Sequence, residues 1–269
     1  MATGRIVAIM SASTKTMTKQ SETEKLKISL FVTCIVDQMF PQVGAAAARL
    51  LVRRGVQVVF NPEQTCCGQP AFNTGYLEEA RDVARRTLDL LENELKSCDY
   101  VVAPSGSCAS MIKRFYAELF ADDAEARSRA ETVSERTFEL SQFLTEVLQT
   151  EDVEASFQGR ITYHDSCHLL RELGVSAGPR KLISAVDGAQ FVEMERADAC
   201  CGFGGTFSVK YPEISTAIAE EKIESILRSE ADTVVACDSS CLMQIAGLLD
   251  RRGARVGCMH IAELLVSEK

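Results

Sequence analysis

Gln64-Thr65-Cys66-Cys67-Gly68 and Ala199-Cys200-Cys201-Gly202 place the same Cys-Cys-Gly turn at two points of the chain. One more cysteine precedes each turn and another follows it. The first set is Cys34, Cys66, Cys67 and Cys108, and the second is Cys167, Cys200, Cys201 and Cys241. Matching members are 133 or 134 residues apart, a register that scattered core cysteines would not keep. The sequence therefore predicts a duplicated fold with four thiols in each copy, which is enough to hold an iron–sulfur cluster.

The composition is that of an ordinary globular protein. The chain has 269 residues, of which 46% are hydrophobic and 25% charged, with a net charge of −9. No long basic run is present, so nucleic acid and anionic membrane surfaces are not expected as main partners. No apolar run approaches the roughly 20 residues of a membrane span, so direct membrane insertion is not expected either.

The chain has eleven cysteines, and their use depends on whether its compartment is oxidising or reducing. A secreted disulfide scaffold is the alternative, but the count is odd and two domains of this size fold without covalent bridges. The apolar N-terminal stretch of residues 6–10 is shorter than the core of a signal peptide, about 7–15 residues. We therefore expect a cytoplasmic protein whose cysteines serve metal or redox chemistry.

Short apolar segments alternate with helical periodicity along both halves. This alternation predicts an α/β fold of two pseudo-symmetric Rossmann-like halves, each with a parallel sheet flanked by helices. Residues 1–27 are interpreted as a polar tail, residues 28–150 as the first cysteine-rich domain and residues 151–269 as the second. A helix over residues 124–148 is expected to link them. The predicted strands cover residues 28–32, 57–60, 100–103, 160–163, 190–192, 233–236 and 255–258.

The repeated cysteines all follow predicted strands. In parallel sheets the loops beyond the carboxyl ends of the strands converge, so each copy would gather its four thiols in one pocket. Side chains of adjacent cysteines diverge, which favours an iron–sulfur cluster with several corners over a single zinc ion. Gly68 and Gly202 suit a backbone that turns tightly or approaches a cluster closely. Zinc ligation and plain buried cysteines remain the alternatives.

Several other residues are candidates for supporting roles. Cys237 lies four residues before Cys241 and is a possible fifth thiol of the second copy, while Cys98 and Cys258 are interpreted as core residues. His164 and His168 flank Cys167 and are candidates to donate hydrogen bonds to sulfur, with local loop bonding as the alternative. His260 is interpreted as structural.

The pattern Cys…Cys-Cys-Gly…Cys resembles the cysteine-rich CCG domain. That domain occurs in the cysteine-rich subunit of heterodisulfide reductase, the glycolate oxidase iron–sulfur subunit and the small subunit of anaerobic glycerol-3-phosphate dehydrogenase. The resemblance extends from about residue 27 to residue 266, and it includes the strings at residues 64–73, 104–108, 200–208 and 238–245.

The resemblance implies a non-catalytic iron–sulfur subunit that works with two partner subunits in oxidising L-lactate to pyruvate. It implies one or two clusters per chain, of the [4Fe-4S] type, and assigns no catalytic residue here. The ferredoxin run C-x2-C-x2-C is absent from this sequence, so one partner is expected to be ferredoxin-like. Ser105 and Asp238 stand where fuller family patterns carry a fifth cysteine. A disulfide-reductase subunit with a noncubane cluster and a zinc-stabilised scaffold are the alternative functions.

Overall fold

The computed structural model describes residues 25–150 and 152–268. Most of the predicted polar tail, residues 1–24, therefore lies outside the described residues. The remaining chain forms two halves with the same order of strands and helices. No helix within the described ranges combines the length and the apolar character needed to cross a membrane.

The first half is built on four short strands. Its elements are β1 (Lys27–Leu30), α1 (Cys34–Met39), α2 (Pro41–Arg53), β2 (Gln57–Val59), α3 (Gln69–Phe72), α4 (Leu77–Glu94), β3 (Tyr100–Ala103), α5 (Gly106–Ser110), α6 (Tyr116–Leu119), α7 (Ala124–Glu135), β4 (Thr137–Glu139) and α8 (Leu140–Gln142). π-helical turns at Met111–Phe115 and Phe143–Val147 continue α5 and α8.

The second half repeats this order with fewer helices. Its elements are β5 (Ser156–His164), α9 (Ala177–Ser184), β6 (Asp187–Phe191), α10 (Phe207–Lys210), α11 (Pro212–Arg228), β7 (Thr233–Ala236), α12 (Ser239–Arg251), β8 (Gly257–His260) and α13 (Ile261–Leu264). A third π-helical turn, His168–Glu172, follows β5.

Both sheets are parallel and have the same topology. The strand orders are β2-β1-β3-β4 and β6-β5-β7-β8. Ile28 of β1 lies opposite Val58 on one side and Tyr100 on the other. The predicted α/β fold of two similar halves, each with a parallel sheet flanked by helices, is confirmed.

The two halves share one hydrophobic core. Alternate side chains of a strand lie on opposite faces of a sheet, so Val102 and Val235 pack in the core between the halves while Val101 and Val234 pack outward. The shared core also contains residues of α2 and α13, which pack against each other across the boundary. The division of the chain near residue 150 stays a prediction.

The predicted linking helix over residues 124–148 was wrong. Helix α7 ends at Glu135, and Thr137–Glu139 forms β4, which pairs with β3 and covers its edge. The buried Glu139 carboxylate then caps α8 by accepting hydrogen bonds from the Ser141 and Gln142 amides at 2.7 and 3.2 Å. Sheet pairing thus overrides the local helical periodicity in this segment.

The glycine of each Cys-Cys-Gly turn packs directly against the following long helix. Gly68 and Gly202 have positive φ angles of 88° and 83°. A Cβ atom on Gly68 would lie 3.1 Å from the Ala80 carbonyl oxygen, and one on Gly202 would collide with the Ser215 carbonyl oxygen. The positive φ angles are those of a tight turn, and the close neighbour of each glycine is a helix. The close approach to a cluster stays a prediction.

We predict that Gly202→Ala destabilises the protein more than Gly55→Ala. Gly55 also has a positive φ, 79°, but a Cβ there would meet no atom within 4 Å. The Gly55 variant should lose about 1 kcal/mol, the cost of the left-handed conformation alone. The Gly202 variant should lose about 3 kcal/mol, because the collision adds to it. Urea unfolding measures both losses, and equal losses would contradict the packing argument.

Candidate metal centre

The first site consists of Cys34, Cys66, Cys67 and Cys108. Cys34 begins α1 directly after β1, the adjacent pair lies in the loop after β2, and Cys108 lies in α5 after β3. The carboxyl ends of these strands meet at one edge of the sheet. As a result the Sγ atoms of Cys67 and Cys108 are 3.4 Å apart, and the Cys66 thiol lies close to those of Cys34 and Cys67.

The second site consists of Cys167, Cys200, Cys201 and Cys241, and it repeats this arrangement. Cys167 follows β5, the adjacent pair follows β6, and Cys241 lies in α12 after β7. The Cys200 thiol lies close to those of Cys167 and Cys201, and the Cys201 thiol lies close to that of Cys241. The structure therefore brings the eight repeated cysteines together as two sets of four, each a continuous chain of thiol contacts.

Both sites open onto the same cavity. All eight cysteines line this space, which measures about 820 Å³ including its mouth. Ser105, Ser107, His168, Phe203 and Asp238 are among its other lining residues. A group bound at one site would therefore face the other site across a shared space.

Each site contains one thiol that ionises easily. The pKa of Cys66 is lowered to about 3 and that of Cys200 to about 2, chiefly because neighbouring thiols donate hydrogen bonds to their sulfur atoms. The amides of Gly68 and Gly202 also donate to these sulfurs, at 3.4 and 3.3 Å.

Four other thiols, two in each site, are held protonated. Hydrogen bonding to the neighbouring sulfur is the main cause, and burial adds to it. The residues whose pKa values are raised in this way are Cys34, Cys67, Cys167 and Cys201. Adjacent thiolates repel one another, so the remaining protons leave when positively charged metal ions replace them.

The main chain of the cysteine loops is fixed by side chains from the neighbouring helices. In the first half Thr87 Oγ1 donates to the Cys66 carbonyl and Tyr116 Oη to the Cys67 carbonyl, both at 2.9 Å. In the second half Lys222 Nζ donates to the carbonyls of residues 196 and 197, at 2.8 and 3.0 Å. None of these three side chains was predicted from the sequence, although a lysine on the buried stripe of α11 was a readable signal.

The two halves are also joined by a buried carboxylate beside the cavity. Asp238 accepts hydrogen bonds from the Ser105 hydroxyl at 2.8 Å, the Ser107 hydroxyl at 2.7 Å and the Ser107 amide at 2.9 Å. Burial raises the pKa of Asp238. Ser105 and Asp238 occupy the same position of the repeat, 133 residues apart, so this position links the two copies.

The two predicted histidines both lie beside the second site. His164 is completely buried, and its ring nitrogens make no well-formed hydrogen bond within the described structure. Its ring nitrogen and the Sγ atoms of Cys201 and Cys241 lie within 4.8 Å of one another. His168 Nδ1 is 3.6 Å from Cys167 Sγ. The His164 ring also lies close to the Ala197 main chain, so local loop bonding stays the alternative to a hydrogen bond with sulfur.

The remaining cysteines lie outside the cavity lining. Cys237, a possible fifth thiol, packs in the core between the halves, with its Sγ atom 3.4 Å from Tyr163 Oη. Cys241 packs in the outer core of the second half, so the structure does not bring these two thiols to the same side. Cys98 is buried near the start of β3 and Cys258 lies within β8. His260 caps α13, because its Nδ1 atom accepts a hydrogen bond from the Ala262 amide at 3.1 Å.

Comparison with known proteins finds relatives that share one name. A lactate utilization protein A from Exiguobacterium sp. is 48% identical over 238 residues, covering 88% of this chain and 96% of that protein. Another from Geobacillus sp. is 47% identical over 242 residues, covering 90% of this chain and all of that protein. Among solved structures, a glutamate racemase from Bacillus anthracis covers 91% of this chain and 79% of its own, with 10% identity and a TM-score of 0.31, too low to carry an argument.

The family model for the cysteine-rich domain CCG matches residues 28–113 and again residues 161–246. These two matches contain the two four-thiol sites, one in each. The chain therefore belongs to the CCG cysteine-rich domain family, with one copy of the domain in each half.

Proposed function

We propose that this chain is an iron–sulfur electron-transfer subunit of a complex that oxidises L-lactate to pyruvate. The observation that carries the proposal is that the two four-cysteine sites face one cavity. We take lactate as the substrate from the name of the relatives, lactate utilization protein A. Oxidation of L-lactate to pyruvate releases two electrons and two protons. In this proposal the electrons pass singly through the chain towards a quinone or a further redox protein.

The donor set suits an iron–sulfur cluster. Thiolates are the usual ligands of such clusters, and four of them meet in each site. The Gly68 and Gly202 amides already donate to cysteine sulfur, and such bonds stabilise the added negative charge of a reduced centre. When bound, a cluster supplies one-electron redox chemistry. We propose one cluster per site, of the [4Fe-4S] type.

The main alternative is a structural zinc ion at the second site. His164, Cys201 and Cys241 place three zinc-type donor atoms within 4.8 Å of one another. The first site offers no equivalent imidazole, since Phe31 holds the position that corresponds to His164. Zinc would therefore explain one site and leave the matching thiols of the other without a role.

A disulfide-reductase centre has less support. Its fuller cysteine pattern needs a further thiol where Ser105 and Asp238 stand, and these two residues hydrogen-bond each other. Cys237, which directly precedes Asp238 in the sequence, does not line the cavity and packs against Tyr163. We therefore favour electron transfer over catalysis and assign no catalytic residue.

We further propose that two partner subunits complete the complex. One of them should be ferredoxin-like, because this sequence lacks a ferredoxin-type cysteine run. The eleven free thiols favour a reducing compartment, so we place the complex in the cytoplasm.

The first test is the metal content of the protein. Anaerobic reconstitution with iron and sulfide should load about four irons per site, with broad sulfur-to-iron charge-transfer absorption. Zinc offered alone serves as the control and should not fill both sites. Uptake of about one zinc, with no iron or sulfide, would refute the electron-transfer proposal and support a zinc scaffold.

The second test assigns the ligands. Cys67→Ser and Cys201→Ser should each remove about half of the bound iron, because each takes one thiolate from a different site. Cys98→Ala is the matched control, since Cys98 is as buried as Cys67 and Cys201 but lies outside the cavity. Iron counting on reconstituted protein measures the effect. Equal iron loss from Cys98→Ala would refute the assignment.

A further inference from the structure

The two sites have the same thiols but different surroundings. His164 lies three residues before Cys167, and the residue three before Cys34 is Phe31. On the long helices, Ala84 packs against Gly68 and Ala219 packs against Gly202. The residues three positions after these alanines therefore correspond to each other in the two halves. They are Thr87 in the first half and Lys222 in the second.

Lys222 brings a positive charge into the protein beside the second site. Its side chain is completely buried, and its ammonium group donates to two neutral carbonyls. Among residues 25–150 and 152–268, no carboxylate lies within ion-pair distance of it; Asp198 and Asp165 act only from farther away. The two carbonyls belong to residues 196 and 197, in the loop that leads to Cys200 and Cys201. Burial lowers the pKa of Lys222 to about 8, and Asp198, Cys201 and Cys241 nearby oppose that shift. In the first half Thr87 is neutral.

His164 adds a second polar group close to Cys201 and Cys241. Burial, with Lys222 nearby, lowers the pKa of His164 to about 3. A ring nitrogen of His164 lies within 4.8 Å of the Sγ atoms of Cys201 and Cys241. The corresponding Phe31 packs in an apolar core with Cys67 and Cys108 and offers no donor.

Lys222 and His164 act on reduction in one direction, whereas the buried Asp238 carboxylate, which acts on Cys167, opposes them. Reduction adds a negative charge, which a nearby buried cation stabilises more strongly than it would in water. A hydrogen bond donated to cysteine or cluster sulfur has the same sign of effect. The second site has the buried cation and an imidazole within 4.8 Å of the Sγ atoms of Cys201 and Cys241. The first site has the neutral Thr87 and Phe31 at the corresponding positions.

We infer that the second site is reduced at a higher potential than the first, and that Lys222 is the main residue setting this difference. The inference rests on the proposed function, since it requires an iron–sulfur cluster at each site. The first electron that the chain accepts from a one-electron donor then resides at the second site. Lys222 acts through charge and is not a ligand.

The test compares the two sites in the full chain. Cys67→Ser leaves the second site intact and Cys201→Ser leaves the first. Both proteins are reconstituted with iron and sulfide, and the EPR signal of the reduced cluster is followed during a dithionite titration. We expect the Cys67→Ser protein to be reduced at the higher potential. Equal potentials, or the reverse order, would overturn the inference.

The role of Lys222 is tested in the Cys67→Ser background. Lys222→Met removes the charge while keeping an unbranched stem, and it should lower the potential of the second site. Lys222→Arg keeps the charge and should restore most of the shift. If both variants have the same potential as the parent, the assignment to Lys222 is wrong.

Lys113→Met is the matched control. Lys113 also donates to two main-chain carbonyls, those of Ser134 and Thr137, at 2.9 and 2.7 Å. Its charge acts on Glu146 and Arg114, with no thiol involved. The potentials of both sites should be unchanged in this variant.

Iron content shows whether a negative result refutes the proposed function or only this inference. Protein that binds no iron refutes the proposed function and this inference together. Protein that binds iron at both sites with equal potentials refutes the inference alone. If Lys222→Met fails to fold, the comparison of the two cysteine variants still decides the order of the potentials.

Discussion

Four thiols in contact place the strongest constraint on this molecule. They repel one another as thiolates and cost solvation when buried, so each site gains full ionisation only together with bound cations. Much of the local structure serves this arrangement. Three parallel strands end at one edge, a left-handed glycine lets each adjacent cysteine pair lie against a helix, and the Gly68 and Gly202 amides already donate to the sulfur that ionises most easily.

The shared core turns two such sites into one functional unit. The halves pack through α2, α13 and the inner faces of both sheets, and Asp238 bonds Ser105 and Ser107 beside the cavity. The repeat position that could carry a further cysteine is thus occupied by a contact between the copies. A cysteine in place of Asp238 would remove a buried carboxylate that accepts three hydrogen bonds from the other half. The second site would gain a thiol, and the contact between the halves would be lost.

The parallel sheets and the two sets of cysteines could be predicted from the sequence, because both depend on local spacing. In each unit a strand is followed by a cysteine and then by a helix. The sequence did not predict β4, although it predicted β8. Residues 104–136 separate β3 from β4, whereas the shorter segment 237–256 separates β7 from β8, so the repeat register is lost there. Lys222 was readable as a lysine on the stripe of Ala219, Ile223 and Ile226. The Asp238 contacts were not, because they depend on how the halves are placed.

Duplication made the two sites alike in ligands, and the surrounding residues made them different. Two identical centres side by side would exchange an electron without preference. The corresponding helix position holds the neutral Thr87 in the first half and the charged Lys222 in the second. This difference leaves the cysteines of the two sites matched. The cost of burying the ammonium is partly offset by its two carbonyl bonds. Lys222 therefore distinguishes two sites whose cysteines correspond one to one.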